Sequence, residues 1–182
     1  MPSGRDFEEL YGVTEEGALN FWVSHLEETV GSEQWSQIRD STGVYVASVL
    51  GHFCLQSVDR RAILSPDYSP GELEFRQFAD LTQIAEMMMR QLTNANNPLW
   101  MESAGAHILL YAGFFQNQNK DRHNIGFYSN MGRECYLMAA VGKRAKIMNQ
   151  MAAGFHQYLF HLAVLQQHLQ ENRYLIKTED SI

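Results

Sequence analysis

At 182 residues, with 45% hydrophobic and 12% aromatic side chains, the chain can bury an ordinary core without metal or disulfide staples, which excludes a disordered protein. Its formal net charge of −7 argues against general nucleic-acid binding, whose affinity rests on many cationic contacts to phosphate. Only four prolines interrupt it, so long helices are available.

In chain order, Thr14 with Glu15 and Glu16 reads as a helix N-cap followed by acids in the first turn, where they suit the helix dipole. Ala18, Phe21, Trp22, His25 and Leu26 then recur at helical spacing until Gly31. Ser32 to Arg39 predicts a short second helix around Trp35 and Ile38. The run Val44 to Leu50, VYVASVL, is rich in β-branched residues and is compatible with a strand. Its continuation through Phe53 and Ser57 has helical spacing and no partner strand is in sight, so the expectation is helix. Ser69, Pro70 and Glu72 form a capping box with proline at the first helical position. The seam Phe78, Leu81, Ala85, Met88 and Leu92 follows; Met88 places the Met87–Met89 triplet in a core, not on a soft binding surface.

Asn97-Pro98 starts the next predicted helix, through Trp100, His107 and Leu110 to Phe115. A polar turn spans 116–124, and a helix from about Ile125 to Val141 puts Tyr128, Gly132, Tyr136 and Ala139 on one face. Gly132 there would let a neighbouring helix come close. The last helix, from Lys143 to about Gln170, carries the seam Met148, Ala152, Phe155, Leu159, Leu162 and Leu169, interrupted by Gln166 and widened by Met151, Tyr158 and Leu165. The sum is an all-α, single-domain bundle of about six or seven helices over residues 1–182, with 1–13 and 173–182 loosely ordered.

The start, MPSGRDFEEL, has neither a basic opening nor an apolar run, and the longest uncharged apolar block, Ile108 to Phe115, is far short of a membrane span. A cytoplasmic protein with no membrane partner is expected, its two cysteines, Cys54 and Cys135, reduced and buried. Charge is segregated. Residues 1–40 hold nine acids against two bases, and 120–146 hold six bases against two acids. That contrast suits an intramolecular match or a docking site for an acidic partner.

Seven histidines raise the question of metal, yet no Glu-x-x-His, His-Glu-x-x-His, clustered cysteine, phosphate-binding glycine loop or Gly-x-Ser-x-Gly elbow is present. His156 and His161, five apart, fall on different faces, and His25 with Glu28 reads as a surface pair. No metal and no cofactor are therefore expected. The remaining constellation is Arg122, His123, Tyr128, Arg133, Glu134 and Tyr136, in and after the polar turn. Guanidinium, imidazole and phenol groups near a helix N-terminus can hold an anion together with its free N–H groups. The plainer reading gives the tyrosines to packing and Arg133 with Glu134 to surface contacts.

The run from Leu109 to Tyr136 resembles a pattern shared by uncharacterised bacterial proteins. It has an apolar helix ending in Gly113, Phe114 and Phe115, a basic loop residue, Arg122, and then Tyr-x-x-x-Gly-x-x-x-Tyr at Tyr128, Gly132 and Tyr136. The chain departs from the pattern in having no proline after the second phenylalanine. The likeness covers less than a fifth of the chain; it implies a bacterial, helical, soluble protein and no particular activity.

The leading expectation is a non-enzymatic protein-interaction or regulatory module acting through helix faces, its partner another protein or a second copy of itself, with Lys143 and Arg144 in the basic docking region. The alternative is a small-anion or sensory site between the helices flanking 116–124. Nucleic-acid binding through Lys120 to Lys146 ranks last on net charge.

Overall fold

The computed structural model describes residues 15–54, 98–116 and 124–171, and its regular structure is all helical, with no strand among the described residues. The chain divides into two compact units, Met1–Ser69 and Pro70–Ile182. The helix expected from Ser69 to Leu92, the polar turn around Arg122, and both chain ends lie outside the described residues.

The first unit contains α1 (Glu15–Val30), α2 (Ser32–Ile38), a π-helical turn (Arg39–Gly43) and α3 (Val44–Cys54). Gly31 separates α1 from α2 at φ +87°, a conformation that strains any residue with a Cβ. Its N–H donates to the Glu27 carbonyl at 3.0 Å and its own carbonyl accepts from Trp35 N at 2.9 Å, so one residue ends a helix and opens the next. Trp22 and Leu26 of α1 and Trp35 of α2 are buried. A Cβ on Gly43 would stand 2.9 Å from Trp35 Cζ3, which is why the π-helical turn closes on glycine.

The segment Val44 to Leu50 is helical. Every residue from Tyr45 to Gly51 is buried, the pattern of a core helix enclosed on all faces. Ser48 satisfies its hydroxyl on the Tyr45 carbonyl at 2.7 Å. Valine's helix propensity is poorer than alanine's by only about 0.5 kcal/mol per residue, less than burying its side chain gains.

The second unit contains α4 (Pro98–Leu109), continued by a π-helical turn (Leu110–Phe114), then α5 (Ile125–Ala139), a 3-10 turn (Gly142–Arg144) and α6 (Ala145–Glu171). α4 with its π-helical turn packs on α5 and α6, and α5 packs on α6. Asn124 caps α5 by accepting a hydrogen bond from Phe127 N at 3.2 Å. α5 stops at Ala139, two residues short of expectation, and Gly142 at φ +57° turns the chain into α6.

Glycines set the helix spacing. Gly132 of α5 faces the ring of Phe155 on α6 so closely that a Cβ would overlap it. Gly105 of α4 lies against Tyr136, where a Cβ would sit 3.0 Å from the ring, and Gly113 lies against Leu159 and Leu162 at 3.2 Å. The α6 seam is buried as its spacing predicts, Gln166 included. No helix among the described residues is long and apolar enough to cross a membrane.

Candidate functional site

α5 separates the residues of the expected anion constellation. Arg122 and His123 lie outside the described residues. Tyr128 and Tyr136 are on the buried face of α5, the Tyr136 ring packing 5.7 Å from that of Phe155. Arg133 and Glu134 are on the exposed side, paired with each other at 3.5 Å, a contact of small worth in water. Lys143 is exposed in the 3-10 turn. Of the residues in the Leu109–Tyr136 pattern, Gly113, Phe114, Phe115, Tyr128, Gly132 and Tyr136 are interior packing groups, and Arg122 lies outside the described residues.

Arg144 is committed elsewhere. Its Nη2 donates to Oε1 of Glu102, a carboxylate only 2% exposed within α4. From Trp100 to Leu109 every residue of α4 is buried, and this guanidinium gives the interior carboxylate of Glu102 a cation. The pair joins α4 to the turn that opens α6. Beside it in sequence, the buried Ser103 hydroxyl has no hydrogen-bond partner among the described residues, and the Ser103 carbonyl stands 2.9 Å from His107 Nδ1. The His107 ring stacks on Tyr111 with centroids 6.3 Å apart. Sequence reasoning passed over Glu102, although it is the lone charged residue between Pro98 and Asn119, a signal that an apolar helix must find it a cation.

A second cross-helix contact joins Ser129 Oγ of α5 to His156 Nδ1 of α6 at 3.4 Å, the outer limit of a hydrogen bond. Serine beside histidine has the elements of a nucleophile and base, but at this distance the contact ties two helices together. Cys135 is a buried thiol outside any disulfide, and its burial raises its pKa far above the ordinary range, which disfavours the thiolate. His25 Nδ1 lies 3.5 Å from Glu28 Oε2 one turn along α1. His156 is exposed and His161 buried, the separation onto different faces that a spacing of five dictates.

The second unit also presents large apolar side chains to solvent. Phe127 and Leu137 lie on the outer side of α5, Val141 just past its end, and Phe160 and Val164 on the outer side of α6. Phe160 is the most exposed of them at 64%. Comparison of the chain with known protein families, curated proteins and solved structures finds no match.

Proposed function

We propose that the chain is a protein-interaction module that acts through the outer faces of its helices. The observation that carries this reading is the set of large apolar side chains exposed on α5, just past its end, and on α6. Phe160 and Val164 are one turn apart on α6, and Phe127 and Leu137 stand toward the two ends of the exposed side of α5, with Val141 just past it. Isolated exposed apolar residues are ordinary, whereas groups of them on adjacent helices mark contact surfaces. Lys143 remains available as a peripheral cation, while Arg144 serves the interior. The setting proposed for this activity is the cytoplasm.

Replacing Phe127, Leu137 and Phe160 together by serine tests the reading. Sedimentation of the purified full chain is expected to show association, with itself or with a co-purifying protein, that the triple variant loses. Its folding stability should stay within about 0.5 kcal/mol per site, as for surface positions. Unchanged association, or a collapse of stability, would overturn the reading and return interest to an anion site beside the 116–124 turn.

A further inference from the structure

We propose that the outward face of α6 is a self-association surface, which takes the α6 of a second copy in antiparallel orientation. This rests on the interaction-module reading and names its partner. α6 is 27 residues long, about 40 Å, and the 24 residues from Ile147 to Gln170 contain no aspartate, glutamate, lysine or arginine. A helix face left to water ordinarily carries charge, and the centres of protein interfaces are depleted of it.

The charges that α6 does carry are placed at its ends, with opposite sign. Lys146 is in the first turn and Glu171 closes the last, both exposed. Between them runs a stripe of exposed positions spaced alternately four and three residues apart, beginning and ending on a step of four. That order reads the same from either end. A copy rotated by a two-fold axis through the middle of the helix therefore meets the stripe in register, as an isologous interface requires.

In that register Lys146 of each copy meets Glu171 of the other, which Gln167 Nε2 already holds through a 3.0 Å hydrogen bond to its Oε1. Gln150 meets Gln167, amide against amide, each able to donate and accept. Ala153 meets Val164, small against β-branched, and Phe160 packs beside Gln157, nearest the axis. A parallel copy would instead set Lys146 against Lys146 and Glu171 against Glu171. Charge complementarity thus selects both the partner and its direction. Each chain carries −7 overall, and this uncharged face lets two of them meet without direct repulsion at the contact.

Two measurements on the full-length chain test this. Phe160→Glu should weaken self-association at least about tenfold in sedimentation equilibrium, as loss of a central interface anchor does, with an unchanged melting temperature. In a Cys54→Ser background, with Cys135 buried, Ala153→Cys and Val164→Cys chains are mixed and oxidised. An antiparallel pair gives the mixed 153–164 disulfide and little of either homodimer, because two copies of residue 153 stand about 16 Å apart along the axis, beyond disulfide reach. Preferential 153–153 linkage would overturn the antiparallel arrangement. A dimer that survives Phe160→Glu without the mixed disulfide would overturn the α6 surface yet leave the interaction-module reading standing on α5. A chain that is monomeric in sedimentation but binds a different protein through these groups would overturn self-association alone.

Discussion

At the scale of single residues, Glu102 and Arg144 govern the interior of the second unit. The carboxylate is taken out of water by α4, and the guanidinium, 22% exposed, keeps some contact with solvent. Glu102→Gln or Arg144→Ala should lower folding stability by roughly 3–5 kcal/mol, toward the lower figure because Arg144 is partly wet; urea denaturation reads this directly. Glu102→Met combined with Arg144→Leu should recover most of the loss, since both members of the ion pair are then replaced by apolar groups. Arg144 lies 42 residues from Glu102, so the sequence flags an acid in an apolar helix without saying which base reaches it. For the same reason Arg144 was legible as a basic residue but not as an interior one. His161 adds a pH dependence. Burial lowers its pKa below 6.5, so the unfolded chain takes up a proton that the folded chain resists. Its effect on stability is absent above about pH 7 and destabilising as pH falls through 6.5 toward the folded-state value. Melting temperatures measured from pH 7.5 to 5 should fall more steeply for the native chain than for His161→Leu.

At the scale of elements, backbone approach at glycine decides the packing. Gly132→Ala drives a Cβ into the Phe155 ring and should cost about 1–3 kcal/mol as overpacking, with Phe155→Leu in the same chain restoring part of it. The role of Gly132 was readable, because a glycine between two tyrosines on one helical face leaves a notch that a neighbour can fill. Val44 to Leu50 was less readable, since local preference pulls toward strand; the helical spacing of its continuation points to helix, and the burial of Tyr45 to Gly51 accounts for it. The inner seam of α6 stood out in the sequence, whereas its outer face did not. A surface stripe acquires meaning only once the opposite face is known to be filled. The proposed pairing of Lys146 with Glu171 adds a test at this scale. Lys146→Glu should weaken self-association, and Lys146→Glu with Glu171→Lys should restore it; each end contact is worth about 0.2–1 kcal/mol, read by sedimentation in low salt.

At the scale of the molecule, the negative charge and the exposed apolar groups suggest different kinds of partner, and the proposed interaction rests on the apolar groups. The basic residues from Lys120 to Lys146 do not gather into one described patch: Arg133 faces Glu134 and Arg144 faces Glu102. What remains is a second unit that exposes large apolar groups on two adjacent helices. The claim that these faces, and not a small-molecule pocket, carry the function is tested most directly by native mass spectrometry of freshly purified full-length protein. The account predicts a mass that is a multiple of 20.9 kDa, two copies or more, with no added ligand mass. A single 20.9 kDa chain carrying a reproducible small-molecule adduct would contradict it.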